Sequence, residues 1–446
     1  MRKGKPMQVN HQAKGIVSKA ASVEQPLLTI AVPTYNRVCS LERALQRILA
    51  YAQDYPVEIL VSDNASTDGT ETFMSDFVQQ HPQVRYYRKP VNTGFGGNFI
   101  NCVNLARGKY LLIHSDDDIL LSGGLEALLL ALKQEPVFVY LNWMEIAKVQ
   151  QNSPAVSCTE KDLLTFTNKN AFLDHVGMGL TFISTLVFCM EYVRELEDKE
   201  ALVTNDLAQV YIVFRTMRHK GKYIVVRKPC IAAYPSNDSS YDRYRVWVDE
   251  YAKLLLQEAP ACGFDARLCE RSLHEDISRN VLRCLVHAAI AKPEWEAKWD
   301  RSCVLPTVAR FPDLVPVYQL LLETPASERP QLKHRIEAMK EDTIVKACKG
   351  HAVYIYGGGT IGQHIAEVLH KHQVAVQAIV VTEQPNGAQA YRGIPILPLQ
   401  QVYSDIQKNA DAFIILAMKR EYQTEVQDML LAKSVQPDKI YRQIAW

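Results

Sequence analysis

The chain has no long apolar run, no close pair of cysteines and no excess of charge. Its longest apolar stretch, residues 179–190, is too short to span a bilayer. Ten cysteines are scattered through 446 residues without metal-ligand spacing, and the 12 histidines form no metal set either. With no secretory apolar segment before the first strand-like run, reduced thiols in a cytoplasmic protein are the simplest expectation. A formal charge of +1 gives no concentrated basic face of the kind nucleic acid requires. Repeats and low-complexity tracts are missing too. What is left is a chain of 48% apolar residues, long enough for two or three domains with their own cores. Residues 1–25, with Arg2, Lys3, Lys5, Lys14 and Lys19, read as a flexible basic leader able to touch anionic lipid weakly at the inner face of a membrane.

The chemistry is concentrated in one run. Ser115-Asp116-Asp117-Asp118 closes the apolar stretch Lys109-Tyr-Leu-Leu-Ile-His114. Adjacent carboxylates repel one another and are costly in a packed interior, so they are expected to face solvent or surround a cation. Hard oxygen ligands of this kind suit Mg²⁺ or Mn²⁺. An acidic turn on a solvated face has the same composition, and the run alone does not separate the two. Upstream, residues 27–37 form an apolar run of buried-strand length, stopped by a proline and polar residues. Leu41, Ala44, Leu45 and Ile48 follow at helical spacing, and residues 57–63 give a second strand ending in a carboxylate. Strand, helix, strand predicts parallel pairing. The turn-rich segment 63–69 is suited to cap a helix over 70–80, and residues 85–88 predict a third strand. Ligands of open parallel sheets bind beyond the carboxyl ends of the strands, where Tyr35, Asp63 and Asp116 fall.

Four ordered motifs carry a resemblance: Ala31-Val-Pro-Thr-Tyr-Asn-Arg37, Asp63-Asn-Ala-Ser-Thr-Asp-Gly69, Asn92-Thr-Gly-Phe-Gly-Gly-Asn98 and Gly108-Lys-Tyr-Leu-Leu-Ile-His-Ser-Asp-Asp-Asp118. Through them the first 240 or so positions resemble a family 2 glycosyltransferase with the GT-A fold. Within that family the chain is similar to bacterial transferases of the abequosyltransferase type, which build surface polysaccharides. The resemblance implies a nucleotide-sugar donor. Tyr35 is suited to pack on its base, and Asp63 to accept from an imide nitrogen, which favours UDP or dTDP. Arg37 suits phosphate, and Gly94, Gly96 and Gly97 would let the backbone approach the ligand. Pro33, Thr34, Asn64, Asn92 and Asp117 complete the expected nucleotide-sugar pocket. Asp116 and Asp118 are expected at the ribose and the metal-bridged diphosphate, Asp118 as the more direct ligand. The metal would neutralise charge on the departing nucleoside diphosphate.

The family implied by this resemblance inverts the sugar in one displacement, with an Asp or Glu base near the start of a helix beyond the acidic motif. Asp206 is the candidate, because Val203-Thr-Asn-Asp206 precedes Leu207, Val210, Tyr211, Phe214 and Met217 at helical spacing. A helix-capping Asp would occupy the same position, and Asn205 stands where a second carboxylate is common in the family. Glu195, Glu197, Asp198 and Glu200 read instead as a charged surface cluster.

Residues 222–227 and 230–234 read as strand material and 235–240 as a loop, whose residues 237–240 would either be an ordinary turn or cover the donor. Residues 241–349 show helical spacing and are expected to form a connector. Its aromatic residues Tyr241, Tyr244, Trp247, Trp295 and Trp299 suit core packing, sugar or a membrane interface. From 352 a strand runs directly into Gly357-Gly-Gly-Thr-Ile-Gly362 and a helix, the phosphate turn of a dinucleotide fold in its proper context. Gly357, Gly359 and Gly362, with Glu383 at the end of the next strand, are the candidate C-terminal nucleotide site. The segment resembles a small Rossmann-like nucleotide-binding domain. Its short length leaves one nucleotide, an NAD-like ligand or no ligand open, and a regulatory or oligomerising role with them.

The expected architecture is therefore α/β: a leader (1–25), a GT-A nucleotide-sugar-binding domain (26–240), a helical connector (241–349) and a small Rossmann-like domain (350–446). The expected activity is metal-dependent, inverting transfer of a sugar from a nucleotide sugar to a glycan or polyprenyl-linked acceptor. Two alternatives remain: a noncatalytic nucleotide-sugar-binding or assembly protein, and a bifunctional enzyme with a second sugar-related activity. Homo-oligomers are compatible with either.

Overall fold

Buried apolar segments that end in polar turns build a largely parallel sheet. In this computed structural model the described residues are 16–17, 26–148, 155–233, 241–383, 389–418 and 420–442. They divide into two compact units. The first comprises described residues within 1–172, 178–239 and 257–265, and the second those within 173–177, 240–256 and 266–446. The basic leader, except for residues 16–17, and the candidate loop residues 237–240 lie outside the described residues.

In the first unit β1 (Ile16–Val17), β2 (Leu28–Thr34), α1 (Val38–Ala52), β3 (Val57–Asp63), α2 (Thr70–Gln80), β4 (Val84–Arg88), α3 (Gly94–Leu105) and β5 (Tyr110–Ile113) follow in order. Next come β6 (Ile119–Leu120), α4 (Gly124–Leu132), β7 (Phe138–Glu145), β8 (Leu163–Phe166), β9 (Leu186–Cys189) and β10 (Tyr223–Ala233). The strands lie in the order β1-β4-β3-β2-β5-β9-β7-β10-β6, with β8 also on β10. β2 to β5 are mutually parallel where paired, and β9 runs antiparallel between β5 and β7. One edge of the sheet therefore gathers the ends of β2, β3, β5 and β7 and the beginning of β9.

Register decides which residues meet there. Thr34 lies opposite Asp63, and Ala31 opposite Ile113. Three more residues along each chain bring Asp116 level with Thr34. The strands are apolar on both sides, as a covered parallel sheet demands, and every residue of β3 is buried. Leu28, Ile30 and Val32 pack with Leu41, Leu45 and Ile48 of α1 and with Ile59 and Val61. Each such side chain contributes about 1.5–3 kcal/mol of burial free energy. The strand material expected over 222–227 and 230–234 forms one strand: β10 continues through irregularities around Pro229, which has no N–H to give a ladder.

The second unit joins helices to a second sheet. The buried Glu296 carboxylate takes Tyr244 Oη at 2.6 Å, Arg301 at 2.7 Å and Arg329 at 2.8 Å, so the helices share one ionic centre. Tyr244 and Trp299 are buried and meet edge-to-face, which assigns these two connector aromatics to the core. β11 (Ala352–Tyr356), β12 (Val376–Val381), β13 (Ala390–Tyr391), β14 (Ile394–Pro398), β15 (Ala412–Leu416) and β16 (Ile440–Arg442) stand in the order β13-β14-β12-β11-β15-β16, parallel except for β13.

The helix Thr360–Lys371 rests on this sheet through Gly362, where a Cβ would fall 1.8 Å from the Gly357 carbonyl oxygen. Gly362→Ala is expected to cost about 1–3 kcal/mol by overpacking. Hydrogen exchange should show lost protection in β11 and β12 and unchanged protection in β2, β3 and β5.

Candidate active site

Donors from β2, α1 and the segment before β9 hold the acid run. Thr34, the last residue of β2, donates its hydroxyl to Asp116 at 2.6 Å. Arg37, at the start of α1, spans Asp116 at 3.0 Å and Asp117 at 2.8 Å. Ser115 donates to Asp117, and Ser184 donates to Asp118 while accepting the Ser115 N–H at 2.8 Å. Asp116 and Asp118 are nevertheless only 3% and 6% exposed. Burial pushes the Asp116 carboxyl up to about 6, although Thr34 and Arg37 favour its charge. Burial also pushes Asp118 up to about 7, with the Asp117 and Asp116 charges adding to the effect and Ser184 opposing it. His114, fully buried just upstream, is driven down to about 4 and stays neutral. Its Nδ1 lies 2.8 Å from the Ser115 carbonyl, which can only accept, so Nδ1 carries the proton. The run borders a recess of about 230 Å³ that Ser40, Arg43 and Arg47 of α1 also line.

Beside this, Tyr35 is 43% exposed and follows Pro33 and Thr34 off the sheet. Asn36, in the left-handed region at φ 53°, accepts the Thr67 N–H at 2.7 Å and gives its own N–H to Ser66 at 2.9 Å. Asp68 takes the N–H groups of Val38 and Thr70, the first residues of α1 and α2. Asn64 is buried and donates to the Asn92 side chain at 2.8 Å and the Gly94 carbonyl at 3.0 Å, and it accepts the Thr93 N–H. These contacts bind the three loops after β2, β3 and β4 into one surface.

Asp63 is engaged within the chain in this structure. Its carboxylate has no exposed surface; it accepts the Ser66 N–H at 2.8 Å and the Tyr86 hydroxyl at 2.8 Å. In this conformation it braces the loop after β3, and a base would reach it only after that loop shifted. Gly96 and Gly97 need correction. They lie in the first turn of α3, and a Cβ on Gly96 would meet the backbone carbonyls of Asn205, Leu202 and Val203 at 2.5–2.9 Å. The close approach there is made by the chain itself, and it brings the turn bearing Asp206 against α3.

Asp206 sits in that turn, half-buried, one residue ahead of the helix-capping position Leu207 of the helix Ala208–Thr216. It is Asn205, not Asp206, whose side chain takes the Leu207 N–H, at 2.7 Å. One turn further on, buried Gln209 donates to the Thr181 carbonyl at 3.1 Å, three residues from Ser184. The Asp206 turn is thus tied to α3 on one side and to the segment that holds Asp118 on the other. Sequence reasoning missed Ser184, Tyr86 and Gln209, none of which lies in a motif.

Among the described residues, no group of three His, Cys, Asp or Glu side chains converges on a metal position. Mg²⁺ and Mn²⁺ commonly keep waters and take only one or two carboxylates plus ligand phosphates, which needs no such cage. Asp118 and Asp116, two hard carboxylates made basic by burial, fit that manner of binding. In the second unit Gly357 (φ 122°) and Gly362 approach the chain's own carbonyls, whereas a Cβ on Gly359 would meet nothing within 4 Å. Glu383 is exposed beyond β12.

Residues 29–188 match the family described as Glycosyl transferase family 2. The first unit carries a glycosyltransferase domain of that family. The chain is 26% identical over 227 residues to the abequosyltransferase of Salmonella typhimurium, covering 48% of this chain and 68% of that protein. It is 35% identical over 106 residues to the GalNAc(5)-diNAcBac-PP-undecaprenol beta-1,3-glucosyltransferase of Campylobacter jejuni, covering 23% of this chain and 34% of that protein. Among solved structures, residues 1–349 of S. aureus TarS, crystallised with UDP-GlcNAc, align with a TM-score of 0.45 and 17% identity, over 70% of this chain and 87% of that one. The glycosyltransferase fold is the GT-A-like α/β arrangement seen here. No described helix is long and apolar enough to cross a membrane.

The raised carboxyls of this glycosyltransferase domain give stability a definite pH slope. An acid whose folded pKa lies above its unfolded value binds protons more tightly when folded, so its charge destabilises increasingly from about pH 4 to pH 7. In chelator, Asp118→Asn should therefore be more stable than wild type at pH 8, by on the order of 1 kcal/mol. The advantage should vanish near pH 4, as read by denaturant midpoints across that range.

Proposed function

We propose that the first unit transfers a sugar from a nucleotide sugar, UDP- or dTDP-linked, to a glycan or lipid-linked acceptor in bacterial surface polysaccharide synthesis, with inversion and with help from Mg²⁺ or Mn²⁺. One observation carries this reading. The exposed Tyr35, the Arg37–Asp116–Asp117 cluster, Asp118 and the Asp206 turn converge on one edge of a sheet that matches a glycosyltransferase family. Tyr35 offers a ring for the base, and Pro33, Thr34, Asn64, Asn92 and Gly94 shape the floor around it. Arg37 is already placed to exchange carboxylate for phosphate oxygens. A cation at Asp118 and Asp116 would supply neutralisation of the departing diphosphate. Asp206 accepts the proton of the acceptor hydroxyl as the new bond forms.

Thermal melting against UDP-, dTDP-, GDP- and CDP-sugars tests the donor, since a ligand of the native state raises its melting temperature. The expected result is a Mn²⁺-dependent rise with UDP- or dTDP-sugars that Asp118→Ala abolishes; binding indifferent to chelator and to that substitution would refute the metal assignment. Asp206→Asn should keep donor binding and lower turnover by a factor on the order of a hundred or more. Unaltered turnover would return Asp206 to a purely structural place in its turn, and donor binding with no hydrolysis or transfer by wild type would favour the noncatalytic alternative.

For the C-terminal sheet the reading extends to one nucleotide at Gly357–Gly362, and what favours it is that the strands are parallel and that Gly359 is open at the strand's exit. Gly359→Leu should spoil such a site while leaving UDP-sugar binding by the first unit unchanged. Loss of both in a folded variant would contradict two separate sites.

A further inference from the structure

The aromatic pair Trp143 and Phe182 has no place in the donor site just described, yet it lies on the same edge of the sheet. Trp143, near the end of β7, is 38% exposed, and its ring meets that of Phe182 edge-to-face at 5.3 Å. Its backbone is fixed, because Asn142 accepts the Trp143 N–H at 2.9 Å while donating to the Arg227 carbonyl at 2.8 Å. Phe182 is two residues from Ser184, whose hydroxyl holds Asp118. On its other side, the Thr181 carbonyl receives the Gln209 amide from the helix that follows Asp206. Phe182 therefore stands between the acid run and the candidate base in the network of contacts.

Strand order turns this adjacency into a direction. Along the edge lie β2 with Tyr35, β5 with Asp116–Asp118, the start of β9 with Ser184, and β7 with Trp143. Two strand spacings separate β5 from β7, about 10 Å. A donor with its base at Tyr35 and its diphosphate at the acid run has its sugar pointing toward β9. Inverting displacement brings the acceptor hydroxyl to the face opposite the leaving group, which is the side of β9 and β7. An apolar ring face flanked by polar groups suits the C–H face of a pyranose whose hydroxyls point to water.

We propose that Trp143, backed by Phe182, is the platform on which a pyranose ring of the acceptor stacks. This rests on the transferase reading above. Saturation-transfer NMR with the full chain, Mg²⁺, and UDP or dTDP, against methyl glycosides of glucose, galactose, mannose and N-acetylglucosamine, tests it. Wild type should give signals from at least one glycoside. Trp143→Ala should weaken them by about tenfold, as loss of one stacking contact does, while leaving the thermal shift with nucleotide intact. Trp143→Phe, which keeps a ring, should restore most of the signal. Undiminished glycoside binding in Trp143→Ala would overturn the platform, as would silence from every glycoside in wild type that still binds nucleotide. Failure of wild type to bind either nucleotide would instead overturn the donor reading on which the platform depends.

Discussion

The buried carboxylates at the end of β5 are the constraint from which the site follows. Asp116 and Asp118 remain within the fold because three chain segments deliver donors to them: Thr34 from β2, Arg37 from the start of α1 and Ser184 from the approach to β9. Each donor arrives through sheet geometry. The β2–β5 register sets Thr34 level with Asp116, the exit from β2 sets Arg37, and antiparallel β9 begins at the edge where β5 ends. The donors satisfy the oxygens without cancelling the burial, so both carboxyls stay well above the ordinary range. The cation and phosphate oxygens proposed above would relieve that arrangement.

Around that centre the loops stabilise one another more than they reach outward. Asn64 ties the Asn92–Gly94 turn to the end of β3, Asp68 joins the starts of α1 and α2, and Asp63 holds Ser66 and Tyr86. Such pre-positioning limits what a ligand has to organise on arrival.

Much of this was legible in the chain where the signal is local. β3 and α2 begin and end where apolar periodicity and turn residues place them, at Val57–Asp63 and Thr70–Gln80. The helix after Asp206 carries its expected apolar face, with Val210 and Phe214 buried. Ser184 was not legible: it is one hydroxyl inside an apolar stretch, and its partner Asp118 lies 66 residues away. Tyr86 meets Asp63 only because β4 pairs with β3 in a particular register. Trp143 lies in no motif, and only the strand order places its end of β7 beside β9. Contacts of this kind depend on which strands become neighbours, and residue spacing does not encode that.

Glycine gives the sharpest case. In both units a glycine-rich motif at the exit of a strand reads as a seat for a ligand, and in both the chain itself fills most of the space. Gly96 admits the carbonyls of Leu202, Val203 and Asn205; Gly357 admits that of Ala417, and Gly362 that of Gly357. A missing Cβ reports close backbone approach, and the approaching backbone or phosphate must be identified from the fold. By that criterion Gly359 differs from its neighbours, since nothing of the chain lies within 4 Å of the Cβ it lacks. The close approach at Gly96 has a consequence for chemistry. It fixes the turn that bears Asp206 against the helix leading from the Asn92–Gly94 loop, so the candidate base is positioned by glycines whose sequence pattern suggested ligand contact.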